Sequence, residues 1–157
     1  MRGDRGDAVI ARDIIKDIEA LINDRITYVK PDEQPYFPDS LIHTPSEELE
    51  TLQDLFTRWK NHLELETAAT EALMAGYKTR LELTSATEQV KAGKNPELKA
   101  EKDRIAFVNT LPHIQTLKEE MAVLTAQAKI QEAFFKTLEH NYWRVTNEID
   151  RRRKEWR

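Results

Sequence analysis

Apolar residues recur three and four positions apart along most of the chain, in stretches separated by proline- and glycine-bearing breaks. That spacing places them on single faces of α-helices. Over residues 8–23, "AVIARDIIKDIEALIN", the positions Ile14, Ile18, Leu21 and Ile22 share one face, with Asp7 placed to cap the helix. The next stretch, "ITYVKPDEQPYFPDSLIHTP", holds four of the six prolines. Each lacks a backbone N–H and disfavours helix in the residue before it. A linker or extended strap is expected there, with Tyr28, Tyr36, Phe37 and Leu41 available for docking and a short β-pairing of "ITYV" as a minor alternative.

"TPSEELETL" opens a long helix. Thr44 caps, Pro45 suits the first turn and Glu47 completes a T-x-x-E capping box. The stripe Leu49, Leu52, Phe56, Trp59, Leu63, then Leu73 and Tyr77, predicts one continuous face reaching about Val90. Such a helix of about 45 residues would be about 70 Å long. "KAGKNPE" ends it, with Gly93 as terminator and Asn95-Pro96 starting the next element. A short helix follows in "NPELKAEKDRIAFVNTLPH" and stops or kinks near Pro112.

From Pro112 the alternation is more regular. Ile114, Leu117, Met121, Leu124, Ala128, Gln131, Phe135, Leu138, Tyr142, Val145 and Ile149 fall three and four apart, and Gln131 alone is polar. A strict seven-residue period of this kind predicts a coiled-coil seam with left-handed supercoiling. The expected fold is all-α: a long antiparallel helical hairpin with coiled-coil heptads, assembling into a ring-like oligomer. Its domains would be 1–43, an N-terminal helix plus Pro-rich strap, and 44–157, the helical hairpin. Self-association is expected because a lone hairpin leaves Phe134, Trp143 and the strap aromatics uncovered, and large contiguous apolar patches are uncommon on soluble monomers.

Composition narrows the chemistry. Charged residues make up 33% of the 157 positions and hydrophobic ones 39%, with four glycines, which suits exposed helices better than a sheet protein. Cysteine is absent, excluding disulfides, thiol nucleophiles and zinc–thiolate sites. No apolar run approaches the roughly 18–20 residues of a membrane span, and the charged start "MRGDRGD" is unlike a signal peptide. A cytoplasmic protein is expected, and the paired RGD tripeptides are read as coincidence. His43, His62, His113 and His140 are scattered without metal-ligand spacing, and Gly93 stands alone rather than in a phosphate-cradling loop. No catalytic residue, metal site or cofactor is assigned, and the enzyme class is the least favoured.

Net charge is −4, but "RRRKEWR" carries +4, leaving −8 on residues 1–150. Arg151, Arg152, Arg153 and Lys154 are therefore candidate DNA contacts, against the alternative that they only complement a helix dipole. The second cationic feature interrupts the stripe of the long helix. In "AGYKTRLELTSA" the stripe position is Arg80, with Lys78 two residues before it. Arg80 either lays its methylenes along the seam and pairs with Glu82 or Glu88, or it faces a ligand.

"YKTRLEL", with Lys78, Arg80, Leu81 and Glu82, resembles the basic helical motif of UvsY-type recombination mediators of tailed phages. "LFTRWKN" (Leu55, Arg58, Trp59, Asn61) is similar to a Leu/basic-Trp/Asn stretch of that family. "EAFFKTLEHNYWRVTNEIDRRRK" resembles its closing helix, with Phe134, Leu138, Trp143, Val145, Asn147 and Ile149 in matching places. The resemblance spans roughly residues 45–155. Leu83-Thr84-Ser85-Ala86 departs from the aromatics and glycine that often follow the basic motif.

The resemblance implies an all-helical, ring-forming protein of the infected host's cytoplasm that binds single-stranded DNA. Such a protein helps load a strand-exchange recombinase onto DNA coated by single-strand-binding protein, without hydrolysing nucleotide. Lys78 and Arg80 would contact DNA. Phe134, Phe135, Leu138, Tyr142, Trp143, Val145 and Ile149 would carry oligomerisation. The competing expectation is a virion or scaffold coiled coil without nucleic-acid binding. A helical partner-binding adaptor is a third reading.

Overall fold

The computed structural model describes residues 16–20, 22–23 and 30–157. The fold is all-helical, built from four helical segments, with no strand among the described residues. Residues 16–20 and 22–23 are helical; α1 spans Ser46–Ala92, α2 Glu101–Asn109 and α3 Pro112–Glu155. Ile18 and Ile22 are half-buried, as their shared face predicts. Asp7, Ile14, Leu21, Tyr28 and the "ITYV" pairing lie outside the described residues. No helix among those described is long and apolar enough to cross a membrane.

The chain divides into two compact units. The first to consider comprises residues 22–69 and 129–157. Its core is the α1 face Leu49, Leu52, Leu55, Phe56, Trp59 and Leu63 against Leu138, Val145 and Ile149 of α3. Here α1 and α3 run side by side in opposite directions. Gln53 Nε2 donates to Thr146 Oγ1 at 2.8 Å, and Lys60 approaches Glu139 at 4.0 Å, so numbers rise along one helix as they fall along the other. Lys60 Nζ also lies over the Tyr142 ring, 4.9 Å from its centre.

The Pro-rich segment docks on this unit as a strap without regular structure. Trp59 Nε1 donates to the Glu33 carbonyl at 2.7 Å, giving a buried indole N–H its partner. Tyr36 donates to Glu48 at 3.0 Å, and Phe37 and Leu41 pack against the core. The Phe37 ring carries the Arg144 guanidinium at 4.3 Å. The start of α1 differs from the sequence expectation. Thr44 donates its hydroxyl to the Ser40 carbonyl at 2.7 Å, so the side chain holds the strap's final turn rather than closing a capping box with Glu47. Pro45 still opens the helix, its carbonyl accepting from the Leu49 N–H at 3.0 Å, and Glu47 and Glu48 favour the positive end of the helix dipole.

The other unit comprises residues 70–128 together with the helical residues 16–20. Its core is thinner: Ala92, Val108 and Ile114 are buried, with Leu81, Leu98 and Leu111 partly buried against them. α1 stops at Ala92, but Gly93 is not needed for a left-handed turn, since no glycine among the described residues has positive φ. Successive turns end the helix: Lys94 N–H to the Lys91 carbonyl, Asn95 N–H to that of Ala92, and Glu97 N–H to Asn95 Oδ1 at 3.0 Å. Val90, where the stripe was expected to end, is 69% exposed. Thr110 closes α2, donating through Oγ1 to the Phe107 carbonyl at 2.6 Å, and Pro112 opens α3 at a position where its missing N–H costs nothing.

Every member of the α3 series from Ile114 to Ile149 is buried or half-buried, including Gln131. Off that series, Val123 and Ile130 are 66% and 70% exposed.

Candidate nucleic-acid interface

Lys78 and Arg80 both lie on α1 within the unit of residues 70–128. Lys78 is exposed and Arg80 half-buried, as expected for a cation at a stripe position. Two residues on a helix are separated by roughly 200°, so the pair does not present one shared face. Neither makes an ion pair among the described residues. Of the two carboxylates expected to compensate Arg80, Glu88 is instead placed 3.5 Å from Lys91 and 3.4 Å from His113, and Glu82 is exposed and makes no ion pair among the described residues. Arg80 acts electrostatically on Tyr77. Burial pushes the Tyr77 hydroxyl above its usual range, Glu120 and Glu19 add to this, and the Arg80 cation opposes it. The Lys78–Arg80 turn thus has carboxylates in its surroundings, Glu19 and Glu120 acting on Tyr77, but none in ion-pair contact with its own cations among the described residues.

The four tail cations sit in quite different environments. Glu148, only 9% exposed, organises two of them. Arg151 donates to both of its oxygens, at 2.9 and 2.8 Å, and also pairs with Glu155. Arg152 donates through Nε to Glu148 at 2.8 Å. Its other nitrogens reach Ser46 Oγ at 3.0 Å and the carbonyls of Leu41 and Ile42 at 2.9 and 3.1 Å. Arg152 therefore ties the strap and the start of α1 to the end of α3. These hydrogen bonds, from Arg151 first and Arg152 second, hold the Glu148 carboxyl at about 2, well below its ordinary 4.5, against the opposing effect of burial. Arg153 makes only a loose 3.7 Å approach to Glu50, with both side chains at least 60% exposed. Lys154 is exposed and has no ion pair among the described residues. Of the four, Arg153 and Lys154 have charge free to meet a ligand. The Arg152 arrangement was half legible beforehand: E-x-x-R-R at 148–152 gives the i, i+3 and i, i+4 pairs, but nothing local names Leu41 and Ile42 as the acceptors.

The residues expected to carry oligomerisation divide in the same way. Leu138, Val145 and Ile149 are buried in the chain's own core, and Phe135 and Tyr142 pack against it. Phe134 and Trp143 remain 37% and 55% exposed, each touching one aromatic neighbour: Phe134 the edge of Trp59, Trp143 that of Tyr142. Trp59, central to the second stretch of the resemblance, is itself a core residue, and Arg58 pairs with Asp54 at 3.0 Å.

Sequence reasoning did not single out His62. It is fully buried beside Trp59, with Nε2 2.9 Å from Glu66 and Nδ1 without a hydrogen-bond partner among the described residues. His, Asp and Glu side chains form no cluster able to hold a metal among the described residues. No protein-family model, curated protein or solved structure matches the chain.

Proposed function

We propose that the chain is a single-stranded-DNA-binding recombination mediator, acting without catalysis as a homo-oligomer. Its partners on this reading are a strand-exchange recombinase and a single-strand-binding protein in the cytoplasm of an infected host. The observation carrying the proposal is the Lys78–Arg80 turn: two cations, one at a half-buried stripe position next to Tyr77 and Leu81, with no ion-paired carboxylate among the described residues. A helix serving packing alone gains nothing from an uncompensated guanidinium at a stripe position. The finer architecture belongs to the same proposal: α1 and α3 form one antiparallel hairpin whose heptad series continues along α3, and copies associate into a ring through the exposed Phe134 and Trp143. Because Lys78 and Arg80 diverge around the helix, each meets a different phosphate, and repetition around a ring makes a basic track from an acidic subunit.

A purely structural coiled coil is the second reading. It is favoured by Arg151 and Arg152, whose charges are engaged inside the chain. Fluorescence anisotropy with a labelled oligonucleotide across a salt series decides between the two. On the mediator reading, the double change Lys78→Ala and Arg80→Ala weakens binding and flattens the logarithmic salt dependence by about 0.7 per lost contact. Helicity and oligomer size stay nearly constant, because alanine favours helix. No affinity in the wild type overturns the mediator reading, and unchanged slopes remove Lys78 and Arg80 from it.

A further inference from the structure

The end of α3 carries a feature that the Lys78–Arg80 proposal does not use. Arg153, Trp156 and Arg157 come together there along one groove. α3 ends at Glu155, and a last turn follows in which the Trp156 N–H donates to the Arg152 carbonyl and that of Arg157 to the Lys154 carbonyl, both at 3.3 Å. Trp156 is 90% exposed, the most exposed large apolar side chain among the described residues. It borders a groove of about 480 Å³ between the first turn of α1 and the last of α3, lined by Glu50, Ile149, Arg152, Arg153, Trp156 and Arg157. Ile149 supplies the apolar floor, and Arg152, anchored to Glu148 and the strap, fixes one wall. Arg157 makes no ion pair among the described residues, and Arg153 has only its loose contact with Glu50.

We propose that this groove is a nucleotide subsite for single-stranded DNA, in which an unpaired base stacks on Trp156 while Arg153 and Arg157 hold the flanking phosphates. The inference rests on the single-stranded-DNA reading above and adds a second contact region to it. An indole with a guanidinium on each side matches the alternation of base and phosphate along a single strand. A duplex keeps its bases stacked on each other and offers only its phosphates. Sequence preference is weak, since every base has a π-face. Glu50 opposes the ligand, so Arg153 exchanges a solvent-exposed carboxylate for a phosphate on binding.

The test uses the full wild-type chain, with Phe134 and Trp143 intact, and takes as the Trp156 signal the change in tryptophan emission that is absent from Trp156→Phe. Titration with oligo-dT quenches the emission, and a hairpin duplex of equal length does not. Trp156→Ala weakens oligo-dT binding by roughly tenfold or more, and Trp156→Phe restores most of it. Arg157→Ala flattens the salt dependence by about 0.7. Glu50→Gln tightens binding by up to about fivefold, because it releases Arg153 from an exposed ion pair. If oligo-dT binds but Trp156→Ala and Arg157→Ala leave affinity and slope unchanged, the subsite is refuted and the mediator reading survives. If oligo-dT does not bind the wild type, both fail. If the subsite variants lose affinity while the Lys78/Arg80 double variant does not, the subsite stands and the α1 motif is not a DNA contact.

Discussion

The two units draw on the same helices, α1 and α3, and on the same three-and-four spacing, yet they bury different material. In the unit of residues 22–69 and 129–157, α1 contributes Leu49, Leu52, Leu55, Phe56, Trp59 and Leu63, all at most 5% exposed. In the unit of residues 70–128 the corresponding stripe runs through Leu73, Tyr77, Arg80 and Leu81, all half-buried, and the buried members of its core cluster are Ala92, Val108 and Ile114, with no aromatic among them. Burial stabilises in proportion to apolar area removed from water, at about 25 cal/mol per Å². Periodicity alone therefore does not rank the units; side-chain size at the repeat positions does. The region that relinquishes packing is also the one that carries Arg80.

The comparison is broken most directly by truncation. Phe56→Ala is expected to cost about 3–5 kcal/mol, since it empties a site with no exposed surface in the larger core. Leu81→Ala, at a half-buried position of the thinner core, is expected to cost about 1 kcal/mol. Urea denaturation followed by circular dichroism measures both. Equal losses would mean that the two units contribute alike.

A smaller but sharper effect is expected at the strap. Arg152→Met keeps much of the side-chain stem and removes the hydrogen bonds to Leu41, Ile42, Ser46 and the Glu148 carboxylate. Bonds involving a charged partner are each worth about 1.5–3 kcal/mol. With partial replacement by water at this half-exposed edge, a loss of about 3 kcal/mol is expected. Residues 30–45 should then become susceptible to limited proteolysis while α1 and α3 remain helical. A strap that stays resistant would place its anchorage in Trp59 and Phe37 instead.

That anchorage marks where the sequence stops being legible. The long helices, the break at 93–96 and the alternation along α3 follow from local rules, because helix faces, turn residues and proline act within a few positions. Leu55 is a deeply buried residue that the stripe omitted, since the face there is wider than one residue in three or four. Thr44 is the converse case: the capping-box pattern is present, yet its hydroxyl is given to Ser40, an alternative the strap's turn offers and the pattern cannot display. The candidate site was less legible still. The sequence marks Arg151–Lys154 as one basic run, whereas the fold splits it into two engaged and two accessible cations. Arg151 is engaged by the neighbouring Glu148 and Glu155, and Arg152 by Glu148 together with contacts more than 100 residues away in sequence. Trp156 escaped notice because an aromatic beside a charge run has meaning only once its exposure is known.

Acid should act first on the unit of residues 22–69 and 129–157. The Glu148 carboxyl is held at about 2 against an ordinary 4.5, so its contribution is complete above about pH 5 and is lost as pH falls toward 2. After screening by nearby solvent, that loss is on the order of 2 kcal/mol. Glu148→Gln should be less stable at neutral pH and lose less on acidification, in urea titrations from pH 6 to about 2.5. Parallel curves for wild type and variant would remove Glu148 as the acid-sensitive link.

The smallest effect bears on why Arg80 interrupts the stripe. If the guanidinium serves a ligand, the folded chain gives up packing there, and Arg80→Leu should stabilise it. Full burial of a leucine is worth about 1.5–3 kcal/mol. The position is half-buried, and the arginine stem already covers part of that surface. The net gain should therefore lie below about 1 kcal/mol. The same change should weaken binding to single-stranded DNA, because one phosphate contact is lost while the helix is retained. Stability and affinity would then move in opposite directions, the behaviour of a position held for function at the expense of packing. Loss of more than about 1 kcal/mol of stability, measured by urea denaturation, would instead make Arg80 a structural cation of the thinner unit. Its presence on the stripe would then need no ligand.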